Sequence, residues 1–394
     1  MKKYRLGISL PAEPGPVRNV RERPNAECVA HLAATDHTTF DPTPKVMTAP
    51  GLVVRCADPL NCETSIQALM GGVAMPSARF YLRNHFPIPR LEANNYRLTI
   101  GGLVRHPLSL SLQELRTMPS CSRFVTLECA GNGRALFDPP AEGERWELGA
   151  VSTSEWTGVP LVELLKRVGV LTEAREAVFR GADVGVAGES SQPIRFERSL
   201  RLDEIHIGDA LLAYAMNGEP LSREHGYPVR LVVPDWYAVA SVKWLTDIRF
   251  IDRSFSGFFQ ADRYWYQWNR EGQVAAEPVT IQKVRSLITE PSPNQEFRRG
   301  ELAIRGVAWS GAAPIECVEV SVGDVAWHKA RLLGEVLAGA WRRWELITFV
   351  NEPGVLCLRA RATDRAGHTQ PDHAEWNRLG YGNNSIQSLS VIVW

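Results

Sequence analysis

From Ile288 onward the apolar residues stop recurring at helical intervals and begin to alternate. The stretches "ELAIRGVAWSG" (301–311), "IECVEVSVG" (315–323), "WELITFV" (344–350) and "VLCLRARATDRAG" (355–367) place apolar side chains at alternating positions between turn residues. A period of two sets those side chains on one face of a strand. About seven such strands in roughly 110 residues, without a convincing helix before the C-terminus, suggest two sheets packed face to face, an immunoglobulin-like β-sandwich. The change falls at "ITEPSPNQEF" (288–297), whose prolines read as a linker. The sandwich is assigned to residues 281–394.

Upstream, residues 51–280 mix both periods. "YRLTIGGLV" alternates, "LSLQELRTM" and "PLVELLKRVGV" have helical spacing, and "PVRLVVP" and "SVKWLTDIRFI" are β-branched runs. Ser111 precedes one helical period, and Pro160 sits where a first helical turn takes it. Strands and short helices alternate irregularly, which predicts an α+β fold rather than a doubly wound sheet. Residues 1–50 are rich in proline and charge and read as an extended arm.

Composition narrows the functions. The 394 residues carry 44 basic and 44 acidic side chains, so no global field draws the chain to nucleic acid or an anionic membrane. Recognition of an anion must then rest on a few local arginines. No run approaches the roughly 18 apolar residues of a bilayer span. The N-terminus is not a convincing signal peptide, so a cytoplasmic location is expected. The seven cysteines show neither CxxC nor CxxCH spacing, which argues against a zinc ribbon and covalent c-type haem. Most should be reduced, buried thiols.

Cys129 stands apart. In "RFVTLECAGNGRALF" (123–137) a strand runs out at this cysteine, and a loop of small residues ending in Arg134 follows. Small residues let a backbone pass close to a bulky group, and a thiolate is a soft metal ligand. The plain alternative is a core cysteine closing a strand.

Four stretches in this half, "YLRNHFPIP" (81–89), "LECAGNGR" (127–134), "HGYPVRLVVP" (225–234) and "SVKWL" (241–245), resemble the sulfite oxidase family of molybdopterin-dependent oxidoreductases. "GVAWSG" (306–311) and "WNRLGYGNNSIQ" (376–387) resemble that family's C-terminal dimerisation domain. The six motifs stand in the family's order from about residue 65 to the C-terminus. The resemblance implies a molybdopterin-binding domain of sulfite oxidase fold before the sandwich. It makes Cys129 the molybdenum ligand beside a molybdopterin dithiolene. It assigns the pterin to Tyr81, Leu82, Arg83, Asn84, His85, Asp183, His225, Arg230, Ser241, Val242 and Lys243. Arg230 and Lys243 suit its phosphate, Arg as a fork and Lys as a point charge. Substrate falls to Arg83, Arg134, Trp146 and Tyr264, with Trp146 as a wall. Each of these residues taken alone reads more readily as a surface cation, a turn histidine or a core aromatic; their occurrence together in the family's order is what favours the site.

One position departs from the pattern. The family's "WNLRG" places a further substrate-site arginine where this chain has Leu379, and Arg378 precedes it. A shift of one residue in an extended segment turns a side chain elsewhere. The implied reaction is oxidation of sulfite to sulfate by oxo transfer, with electrons leaving to oxygen or a separate cytochrome. No haem-binding or flavin-binding module is recognisable. The alternatives are oxidation of a sulfane or organic sulfur, an oxo-transfer reductase, and, from another class, a non-catalytic binding protein built on the sandwich. A homodimer through the sandwich is expected.

Overall fold

The computed structural model describes residues 49–394 apart from 189–190, 205–207, 271–272 and 324–325. The arm expected at 1–50 lies outside the described residues except for its last two.

Ser111 opens helix α1 (Leu112–Arg116). Its hydroxyl accepts from the Glu114 N–H at 3.1 Å, and the Glu114 carboxylate accepts from the Ser111 N–H at 2.8 Å. This reciprocal cap satisfies two N–H groups that a helix start leaves unpaired. Helix α2 (Leu161–Val168) buries Leu161, Leu164 and Val168, a stripe at three- and four-residue spacing, and Gly169 closes it at φ +61°. Pro160 is the last residue of the preceding strand rather than part of the first turn. Helix α3 is a single turn, Phe258–Ala261.

The helices accompany two five-stranded sheets. In one, Glu219–Pro220, Leu211–Met216, Val151–Pro160 and Cys121–Glu128 lie in that order, and Arg230–Val232 also pairs with Leu211–Met216. In the other the order is Leu108–Leu110, Leu98–Gly102, Leu245–Ile251, Glu176–Gly185 and Ile194–Arg201. The run "SVKWLTDIRFI" becomes strand only from Leu245. Ser241–Trp244 leave the sheet because Trp244 takes φ +50°, a left-handed conformation that breaks the ladder.

The C-terminal part is the sandwich. A four-stranded sheet (Arg285–Glu290, Gly300–Trp309, Arg342–Val350, Arg331–Leu333) faces a five-stranded one (Glu296–Phe297, Gln387–Val393, Gly354–Asp364, Ile315–Val322, Trp327–Lys329). Ile288, Ile304, Val318, Trp344, Leu358 and Val391 pack in the core that belongs to them. The prolines near Ile288 do not make a linker. Arg285–Glu290 is already a strand of the first sheet, and Pro291–Gln295 turns the chain into the second. A corner inside a sandwich needs the same turn residues as a tether between domains.

A buried ion pair ties the sandwich to the first sheet. Arg285 Nη1 lies 3.1 Å from Glu128 Oε1, with side chains 1% and 3% exposed. Glu128 also accepts from Asn132 Nδ2 at 3.0 Å and from the Trp309 indole N–H at 2.9 Å. Stranding one partner of such a pair costs about 3–5 kcal/mol. Arg285→Met should therefore lower unfolding free energy by about that amount in denaturant titrations. Adding Glu128→Gln, which removes the stranded charge, should restore part of it. A double variant as weak as the single one would contradict the pairing.

Candidate active site

Cys129 follows the last residue of strand Cys121–Glu128, and its N–H bonds the Ala150 carbonyl at 2.9 Å. The chain then curls back: Asn132 N–H reaches Cys129 O and Arg134 N–H reaches Gly131 O, both at 2.9 Å. The glycines here make room for arginines of the protein itself. A Cβ on Gly131 would stand 2.4 Å from Arg134 Nη1, and one on Gly133, at φ +84°, 2.8 Å from Arg285 Nη2. The thiol is 7% exposed, and what exposure it has faces two adjoining cavities. Burial pushes it up, against the pull of the Arg83 and Arg134 guanidiniums.

The first cavity, of about 660 Å³ including space open to solvent, gathers most residues expected around the pterin. Tyr81, Arg83, Asn84 and His85 enter it from the extended segment after Phe80. Asp183 comes from strand Glu176–Gly185, and His225, Arg230, Ser241 and Lys243 complete the wall. Arg230 is 5% exposed and gives its N–H groups to carbonyls alone: His225 O at 3.2 Å, Ser241 O at 3.1 Å and, weakly, Leu231 O. Its guanidinium lies over the Trp156 ring at 4.9 Å, and burial lowers it to about 10. Lys243 donates to Glu224 O at 2.9 Å and to Asn84 Oδ1. Burial, then Arg230, holds its ammonium well below the usual range, against the pull of Asp183. Asp183 Oδ1 is buried without a hydrogen-bond partner, and burial raises that carboxyl to about 6.

Two expected residues do not face this space. Leu82 serves through its main chain, exchanging N–H and C=O with Cys62 at 2.8 and 2.9 Å. The Val242 side chain is wholly buried in the core, and its carbonyl accepts from Leu231 N–H.

The second cavity, of about 610 Å³, is lined by Arg83, Arg134, Arg263, Tyr264, Leu379 and Tyr381, among others, and it shares Arg83, His85, Cys129 and Tyr264 with the first. Arg134 donates to Leu379 O at 2.9 Å and to Glu144 O at 2.8 Å, and it lies over the Tyr381 ring at 5.1 Å. The Tyr264 hydroxyl and His85 Nε2 share a hydrogen bond of 2.5 Å. Burial and then the charge of Arg83 hold His85 well below its ordinary value, so the imidazole is neutral near pH 7. Burial raises Tyr264, so its phenol keeps the proton.

Trp146 does not wall either cavity. Its side chain is wholly buried among Phe80, Tyr81, Val125 and Trp156. A large indole gains most by such burial; its N–H finds no partner there. Sequence reasoning missed Arg263, Tyr381, Phe80 and Phe196 at these walls. Arg263 adjoins Tyr264, which the resemblance names, and Tyr381 lies within "WNRLGYGNNSIQ", so both were within reach of residues already singled out.

Comparison with known proteins gives the family of both parts of the chain. Residues 85–259 match the oxidoreductase molybdopterin binding domain, and residues 277–393 match the Mo-co oxidoreductase dimerisation domain. Sulfite oxidase of Gallus gallus is 35% identical over 351 residues, covering 84% of this chain and 76% of that protein. The chain belongs to the sulfite oxidase family of molybdopterin-dependent oxidoreductases. Sulfite oxidase of Arabidopsis thaliana is 31% identical, with 85% and 92% of the two chains covered. The crystal structure of the sulfane dehydrogenase SoxCD from Paracoccus pantotrophus superposes with a TM-score of 0.74 at 30% identity, over 88% of this chain and 86% of that one.

The residues present fit the family's cofactor. Asp183 Oδ1 is a buried acceptor with nothing to accept from, as ring N–H donors require. Arg230 has no carboxylate partner among the described residues, which suits a phosphate. Cys129 supplies a soft donor at the junction of the two cavities. Six cysteines are described, all of them free; Cys62 and Cys129 are buried and the other four partly exposed.

His225 gives this site a pH signature. Its Nε2 lies 2.9 Å from Ser77 O, and burial lowers it to about 4, whereas an unfolded histidine titrates near 6.5. Between these values the unfolded chain binds more protons, so stability falls as pH drops from 7 towards 4. His85, lowered likewise, adds to the same slope. His225→Gln should lose less of its melting temperature than the wild type between pH 7 and pH 5. An equal loss would mean that His225 is not held neutral in the fold.

Proposed function

We propose that this oxidoreductase oxidises sulfite to sulfate, and that Cys129 holds its molybdenum. The observation carrying this reading is the position of the Cys129 thiol, between a pocket for a phosphorylated ring system and a pocket lined by arginines. In the first, Arg230 and Lys243 would hold the pterin phosphate, and Asp183, Tyr81, Asn84, His225 and Ser241 its polar rim. When bound, the cofactor supplies oxo transfer and the two-electron change.

The chain's own residues bind and orient. Arg83 and Arg134 would grip the oxygens of the anion, leaving its sulfur towards Cys129. The Tyr264 hydroxyl, steadied by neutral His85, would donate a hydrogen bond to the anion. Tight packing of Arg134 against Tyr381 and two carbonyls fixes its guanidinium before substrate arrives, which lowers the ordering cost of binding. Water supplies the added oxygen overall, and an external acceptor, a cytochrome or dioxygen, takes the two electrons. The domain matched by residues 277–393 would join two copies.

A second reading, oxidation of a sulfane or organic sulfur, draws support from the likeness to the sulfane dehydrogenase and from Leu379. The leucine side chain is 4% exposed and lines the substrate cavity where the family pattern has an arginine. An apolar wall there suits a substrate with less charge or more carbon than sulfite.

Metal and pterin analysis, combined with sulfite-dependent reduction of ferricyanide, tests the first reading. Cys129→Ser should keep the fold by circular dichroism and lose both turnover and retained molybdenum. A Cys129→Ser protein with full turnover would overturn the ligand assignment. Wild-type protein loaded with molybdenum but inert to sulfite would favour the second reading.

A further inference from the structure

Arg378, the basic residue beside the family's arginine slot, is turned outwards: its Nε donates to Gln267 Oε1 at 2.8 Å, and its Nη1 lies 3.3 Å from Glu142 Oε2. Another guanidinium lines the cavity instead. Arg263 stands there with Arg83, Arg134, Cys129 and Tyr264. Arg263 and Tyr264 sit in the bends that follow helix α3, and both line this space. Tyr264 takes φ +62°, a left-handed conformation that bulky residues rarely adopt and that persists where surrounding packing imposes it. Tyr381, stacked on the Tyr264 ring at 4.9 Å, and the hydrogen bond to His85 supply that packing. Helix α3 positions the residue: Arg263 N–H bonds Phe258 O at 3.2 Å, and the guanidinium lies over the Phe258 ring at 5.3 Å. No carboxylate among the described residues pairs with it. The acids at the same cavity are engaged elsewhere, Glu142 by Arg378 and Glu144 by Asn61 Nδ2 at 3.4 Å.

We infer that Arg263 is a substrate-binding residue that replaces the missing C-terminal arginine, so that a small sulfur oxyanion is held by Arg83, Arg134 and Arg263 against the apolar wall of Leu379. The inference rests on the second cavity being the substrate site. It places the third positive charge of the pocket on the segment after helix α3 rather than on the C-terminal loop.

The test uses full-length, cofactor-loaded protein with two readouts, KM for sulfite and the dissociation constant of sulfate by calorimetry. Losing one charge-assisted contact should raise both by about tenfold to a hundredfold in Arg263→Gln. Arg263→Lys should recover part of that loss, and Arg378→Ala should leave both constants near wild type. Molybdenum content and circular dichroism confirm that each variant is folded and loaded. If Arg263→Gln keeps both constants within about twofold of wild type, or if Arg378→Ala carries the loss, the inference is overturned. Wild-type protein that neither oxidises sulfite nor binds sulfate defeats the substrate reading itself, and this inference with it.

Discussion

Glu128 and Arg285 meet almost wholly out of water, and the position of Cys129 depends on that meeting. Glu128 is the residue before the thiol, and burial pushes its carboxyl up, against the pull of Arg285, Trp309 and Asn132. The same guanidinium bonds Asn132 O at 3.2 Å inside the Cys129 loop. Desolvation makes such a pair a poor source of net stability but a strict one of geometry. One arginine of the sandwich thus ties the end of the strand to the loop that follows it.

Around that fixed point the two cavities divide the electrostatic work. In the first, Arg230 is kept out of water and gives its N–H groups to carbonyls, so an incoming anion meets little competition and little screening there. In the second, the guanidiniums of Arg134 and Arg263 lie on the aromatic faces of Tyr381 and Phe258. Contact with a ring face holds the side chain while leaving N–H groups for a ligand. Uncharged His85 between the cavities adds no further repulsion.

Much of this was legible before any coordinates. The alternating stretches predicted the sandwich, and Ser111 and the apolar stripe of α2 marked their helices. The resemblance grouped Cys129, Arg134, Asp183, His225, Arg230 and Lys243, which lie far apart in the chain. What escaped depends on direction rather than identity. Trp146 was assigned to a wall and lies in the core, because nothing local says which way an indole packs. Pro291 and Pro293 looked like a linker, since a turn and a tether share their residues. Arg263 went unnoticed because it sits in the bends after α3, where Tyr264 takes a left-handed dihedral, and a tyrosine does not announce that as a glycine would. The glycines after Cys129 suggested room for a cofactor; they make room for Arg134 and Arg285.

The second cavity is built by two parts of the chain that family models describe as separate domains. Leu379 and Tyr381 come from the C-terminal one, and the Leu379 carbonyl holds Arg134 at 2.9 Å. Asn383 Nδ2 donates to Gly133 O at 2.9 Å, reaching back into the loop after Cys129. The pair is therefore not modular in the sense that evolution by shuffling requires. A chimaera that exchanged its C-terminal third with a relative would line this cavity differently, even with every residue of the first cavity unchanged.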